Sequence, residues 1–229
     1  MLILVGIASI FLAFIFRHWI RSAILGRKTV AETLSLLENQ RGAEFSQSYS
    51  KIQEISKIFL IAVKSERRLE VWTRGAKASD YHFVKAYPFT GFSGKLGPKL
   101  IAGDGQIPEG LYELEGLNPN SSLHLSIKIG YPNETDRKFA QLDGRTKLGG
   151  DIFIHGKAYS IGCIPIGDKN IEELFYLVGK VKFENVQVLI MPVDFRKARN
   201  AGYVGNTTYE QALYSWLRRE ISERSELAR

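Results

Sequence analysis

From Phe59 to Met191 the apolar residues fall into short runs broken by Gly, Pro and charged residues. That pattern constrains the chain more than any other feature, because a two-residue period builds sheets and a 3.6-residue period builds helices. The clearest case is 123–129. Leu123, Leu125, Ile127 and Ile129 point one way and His124, Ser126 and Lys128 the other. Further strands are read at Phe59–Val63, Leu69–Trp72, His82–Tyr87, Leu111–Leu114, Asp151–His155 and Val186–Met191. Ser65–Arg68 is the first turn, and Pro88 and Pro192 each close a run. Helical spacing returns at Ile171, Leu174, Phe175 and Val178, with Asp168 as the expected N-cap. Thr207 followed by Glu210 has capping-box spacing and opens a C-terminal helix carrying Leu213, Leu217 and Ile221 inward. Many short strands with few helices predict a mainly β (α+β) domain.

The N-terminus follows different rules. Leu2–Phe16 is apolar apart from Gly6 and Ser9, and at about 1.5 Å per residue it reaches roughly 22 Å. Extension through His18, Trp19 and Ile20 approaches the ~30 Å hydrocarbon core of a bilayer. No small-x-small cleavage site follows, so residues 1–20 are read as a retained hydrophobic signal anchor in the cytoplasmic membrane. Residues 21–58 are read as a helical stalk, with Val30, Leu34 and Leu37 in a first helix that Gly42 ends, and Ile52, Ile55 and Phe59 in a second. The globular domain is assigned to 59–193, and 194–229 to a C-terminal loop and helix. Arg17, Arg21, Arg27 and Lys28 follow the apolar run, and by the positive-inside rule they would hold the body in the cytoplasm.

The formal charge is +7, but the basic residues are scattered, which suits a solvated basic face and no nucleic-acid partner. One cysteine, Cys163, excludes an internal disulfide and a CxxC zinc site. Asp104, Glu109, Asp136 and Asp143 have no metal-ligand spacing, so neither metal nor cofactor is expected.

The chemistry is concentrated in one segment. A strand delivers His155 to its end, a loop with Gly156 and Gly162 follows, and the only thiol comes eight residues after the histidine. An imidazole can take a thiol's proton and stabilise the thiolate as an ion pair. Gly162 leaves backbone N–H groups free to converge on an oxyanion, and Ser160 can hydrogen-bond the loop, the histidine or the substrate. The spacing alone is weak, since a free cysteine is more often a small buried hydrophobe than a nucleophile.

More specific is a set of ordered motifs: 92–99, 103–112, 117–122 with His124-Leu125-Ser126, 130–133 with Asp136-Arg137, Gly144-Arg145, His155-Gly156, and Ser160-Ile161-Gly162-Cys163. In this order they resemble the L,D-transpeptidase (YkuD-type) catalytic domain family, in particular its YafK-like murein subgroup. The resemblance runs from about Phe59 to Pro192. It implies a small β-sandwich domain with a packed helix, and Cys163 as nucleophile with His155 as general base and acid. It also implies Gly162 and Cys163 backbone at the oxyanion, supported by Ser160. Peptidoglycan stem peptides are the implied substrate: the cysteine takes the acyl group of a tetrapeptide, D-alanine leaves, and an amine accepts. Such a substrate implies the periplasmic face of the inner membrane, against the charge rule. Ile161 and Pro165 stand where the broad family usually has His and Arg or Asn, which leaves the acceptor open. Some relatives attach peptidoglycan to an outer-membrane lipoprotein and others cut that link, so hydrolysis stays beside cross-linking as an alternative. Arg145, Arg137 and Lys99 suit stem carboxylates but suit loop ion pairs better. His124 lines the cleft or is a surface strand histidine.

Overall fold

The computed structural model describes residues 26–49 and 54–227. The anchor expected over 1–20 lies outside them. No helix among the described residues is long and apolar enough to cross a membrane.

Eight strands form one curled sheet: β1 (Ile55–Val63), β2 (Arg68–Gly75), β3 (His82–Pro88), β4 (Gly110–Ser121), β5 (His124–Ile129), β6 (Ile152–His155), β7 (Ile164–Pro165) and β8 (Val186–Met191). Their order is β3-β2-β1-β8-β4-β5-β6-β7. The pairs β1/β8 and β6/β7 are parallel and the others antiparallel. The expected pair of sandwiched sheets is therefore a single sheet bent within β4. Gly110–Glu113 pairs with β8, a register shift falls between Leu114 and Gly116, and Gly116–Ser121 pairs with β5. Irregular pairing of this kind kinks and twists a strand, which lets one strand serve both halves of the sheet.

Four helices cover it: α1 (Val30–Ser48), α2 (Glu134–Leu142), α3 (Asp168–Val181) and α4 (Thr208–Ser222). The central strands are buried on both faces, which is why they read as unbroken apolar runs. From β1, Ile58, Leu60 and Ala62 enter one core with α3, whose Ile171, Leu174, Phe175 and Val178 point inward. Phe59, Ile61 and Val63 enter a second core on the opposite face, against Tyr209, Leu213, Leu217 and Ile221 of α4. Each such side chain contributes about 1.5–3 kcal/mol on burial.

Several local expectations change. Gly42 lies inside α1, which is continuous, and its Leu37 and Phe45 are buried with Tyr49 in the first core. Of the residues read as a stalk, Leu37, Phe45 and Tyr49 are thus packed against the body. Ile55–Ile58 belongs to β1, not to a second helix. Gly167 is the N-cap of α3; Asp168 is its first residue, and its carboxylate accepts from Lys157 N–H at 2.7 Å. The Thr207/Glu210 capping box is present. A box over Asn133 and Asp136 opens α2, a helix the apolar spacing did not reveal.

Candidate active site

β6 and β7 lie side by side, with Ile154 opposite Ile164 and His155 opposite Pro165. Continuing this register sets Cys163 opposite Phe153. Cys163 stands one residue before β7, and its sulfur meets the Phe153 N–H of β6, two residues before His155 on that strand. The pairing thus sets the two principal candidates on neighbouring strands, although eight residues separate them in sequence.

His155 is fully buried. Its Nδ1 lies 2.6 Å from the Gly156 carbonyl, which can only accept, so Nδ1 carries the proton. In the neutral ring Nε2 is then an unprotonated acceptor, and it is buried without a hydrogen-bond partner among the described residues. Burial pushes the imidazole below its usual value and keeps it neutral, against the opposing hydrogen bond to Gly156.

Cys163 is half-buried. Its sulfur accepts from Phe153 N–H at 3.4 Å and lies 3.7 Å from Asp151 O. Burial pushes the thiol above its ordinary value, and the Phe153 N–H only partly offsets this. Burial thus works against a thiolate–imidazolium pair on both sides, favouring the neutral thiol and the neutral imidazole. The imidazole's free nitrogen is one that can accept a proton.

The turn before Cys163 is held by hydroxyls. Ser160 Oγ donates to Cys163 O at 2.8 Å. The Gly162 N–H, expected to face the oxyanion, donates instead to Ser93 Oγ at 2.8 Å and more weakly to Ser160 Oγ at 3.3 Å. None of these bonds uses the Cys163 N–H. Gly162 has φ +118°, and a Cβ there would stand 2.9 Å from Gln106 O, so glycine is required on both counts.

The outlying candidates lie elsewhere. His124 is exposed at the start of β5, with Nε2 2.7 Å from Glu172 on α3. Arg145 bonds Leu100 O and Asp143 and lies over the Tyr209 ring, a loop ion pair. Lys99 is buried against Asp104 at 2.6 Å. Arg145 also borders an apolar cavity of about 580 Å³ with Lys95, Pro98, Leu100, Ile101 and Gln106. Among the described residues no group of His, Cys, Asp or Glu could hold a metal ion. Ser93 and the Gly156 carbonyl are the contributors that spacing did not single out. Their only sequence signal is adjacency to glycine within the ordered motifs.

The L,D-transpeptidase catalytic domain family (YkuD) matches residues 57–190, more than half of the chain. The chain belongs to this family. A relative carrying the name YafK in Escherichia coli K12, where it is a candidate L,D-transpeptidase, is 32% identical over 152 residues. These are 64% of this chain and 58% of YafK, and the O157:H7 protein matches equally. The chain thus matches under two thirds of the length of these curated relatives. Among solved structures, a variant of the helical cell shape determining protein Pgp2 from Campylobacter jejuni superposes with TM-score 0.50 and 20% identity. That likeness covers 81% of this chain and 62% of Pgp2, and it is one of fold. Within the L,D-transpeptidase domain, His155 and Cys163 both lie inside the matched range.

Proposed function

We propose that this chain is a cysteine acyltransferase acting on peptidoglycan tetrapeptide stems, with Cys163 as nucleophile and His155 as general base and acid. The carrying observation is the buried His155 Nε2, unpartnered among the described residues, two residues along β6 from the Phe153 N–H that the chain's only thiol contacts. A buried nitrogen left without a partner costs free energy, so a working role accounts for it better than packing does.

Attack begins as Nε2 takes the thiol proton while sulfur bonds to the carbonyl carbon of the L-centre-to-D-centre amide. The Gly156 carbonyl holds Nδ1–H and so stabilises the imidazolium that forms. The developing oxyanion takes the Cys163 N–H, and Gly162 and Ser160 shape the turn that presents it. Collapse breaks the C–N bond, and Nε2 returns the proton to the departing D-alanine. An amine, such as the side-chain amine of a diaminopimelate on a neighbouring stem, then attacks the thioester. His155 removes its proton, and the sulfur leaves and is reprotonated.

The substrate supports a periplasmic location, with residues 1–20 as the tether to the inner membrane. A reporter fused to the C-terminus and active only in the periplasm is the expected result; cytoplasmic activity overturns the location. For the reaction, the full chain in detergent is incubated with disaccharide-tetrapeptides and the products are weighed. Cross-linked dimers with free D-alanine are expected. Tripeptides alone would make water the acceptor and the chain a peptidase, and no product would end the reading.

A further inference from the structure

We propose that Ser93 is the positioning residue of the nucleophile turn. The proposal rests on the cysteine acyl-transfer reading above. Ser93 lies in the loop between β3 and β4, 69 residues before the glycine it binds. Its hydroxyl accepts the Gly162 N–H at 2.8 Å, donates to Gly105 O at 2.8 Å, and lies 2.9 Å from the Ser160 hydroxyl. Ser160 in turn donates to the Cys163 carbonyl. With both hydroxyl protons so spent, the two serines are joined through the Gly162 N–H that each accepts, a bridge from Gly105 O to Cys163 O that spans the peptide unit between Gly162 and Cys163.

The bridge has something to resist. Gly162 is in the left-handed half of conformational space, with room beside Gln106 O for no Cβ, and its orientation sets the direction of the next peptide, which carries the Cys163 N–H. A hydroxyl that accepts from Gly162 and donates to Gly105 locks the turn to the loop facing it. The Gly162 N–H is consumed in this lock, so the Cys163 N–H is left as the backbone donor for the oxyanion. Ser93 then acts through the turn and touches no reacting atom.

The proposal separates two kinds of cysteine chemistry. Acyl transfer needs the N–H aimed at the oxyanion; alkylation of the thiol by iodoacetamide does not. The test measures D-alanine release from disaccharide-tetrapeptide and iodoacetamide alkylation for the full-length parent, Ser93→Ala, Ser93→Thr and Cys163→Ala. In Ser93→Ala kcat is expected to fall roughly 10- to 100-fold, as for small misplacements of catalytic groups, while KM and the alkylation rate stay near the parent values. Ser93→Thr keeps the hydroxyl and is expected to restore kcat. Parent-like kcat in Ser93→Ala overturns the proposal. So does a Ser93→Thr that turns over no faster than Ser93→Ala, and this comparison stands on Thr against parent if the alanine variant does not fold. A parallel fall of kcat and alkylation would mark Ser93 as structural and also overturns it. Release of D-alanine by Cys163→Ala is a different failure, since it removes the cysteine reading itself and the proposal with it.

Discussion

Removal of the Lys64 ammonium tests the packing that holds the site's facing loop. Lys64 and Glu109 are both fully buried, 2.8 Å apart. Lys64 Nζ also donates to Gly97 O at 2.6 Å and Ile107 O at 2.9 Å, which ties together both ends of the 97–107 loop. Glu109 accepts from Gly97 N–H and from the Tyr214 hydroxyl on α4, each at 2.8 Å. Lys64→Met keeps the length of the stem and deletes the charge, leaving two carbonyls and a carboxylate buried. Burial already pushes the Lys64 ammonium below its ordinary value, with Glu109 opposing, so the ion exists only because its partners are in place. Breaking a buried pair from one side costs about 3–5 kcal/mol. Adding Glu109→Gln to Lys64→Met removes the stranded charge and should return roughly 1–3 kcal/mol, a coupling of the size seen for groups in contact. Urea unfolding of the full chain at pH 7, for the parent, both singles and the double, reads these values. A loss below about 1 kcal/mol for Lys64→Met, the level of an ordinary surface change, would refute the reasoning, as would strict additivity of the two substitutions.

The thiol's pH profile is a second test. Burial raises Cys163 and lowers His155, so the midpoint for alkylation of the parent is expected above 9, and His155→Gln should move it little while abolishing turnover. A midpoint well below the free-thiol value would show a resting ion pair instead. Asp136 is buried, with its carboxyl pushed up to about 6 from 3.8 chiefly by desolvation. A raised carboxylate contributes stability that is present below its unfolded value and lost as pH rises through its folded one. Between pH 4 and 7 the parent should therefore lose about 2 kcal/mol more than Asp136→Asn, read by urea unfolding at each pH. Gly162→Ala places a side chain at φ +118° against Gln106 O and should cost about 1–3 kcal/mol and most of the turnover; a variant with parent-like kcat contradicts the turn geometry.

The sequence exposed what depends on local period. β5 alternates as read, β1 and β8 appear as apolar runs because both their faces are covered, and α4 announces itself by its capping box. What depends on distant partners was hidden. In β4 the first stretch, Gly110–Glu113, pairs with β8 on one edge and the rest pairs with β5 on the other, a division set by partners distant in sequence. Gly42 misled because a glycine in a helix costs only about 0.5–1 kcal/mol, less than the burial of Leu37 and Phe45 on either side of it. At the site, His155 and Cys163 could be named from their motifs. The protonated nitrogen could not, since it is set by Gly156 O at 2.6 Å, nor could the capture of Gly162 by Ser93, since the two meet only through the fold.

The central claim is that Cys163 carries the acyl group. Intact-mass measurement of the full chain, quenched in acid during turnover of a disaccharide-tetrapeptide, tests it most directly. The account predicts one adduct with the mass of the disaccharide-tetrapeptide less D-alanine, mapped to Cys163, and none in Cys163→Ala. Product formation without any adduct on Cys163, or by the Cys163→Ala chain, would contradict it.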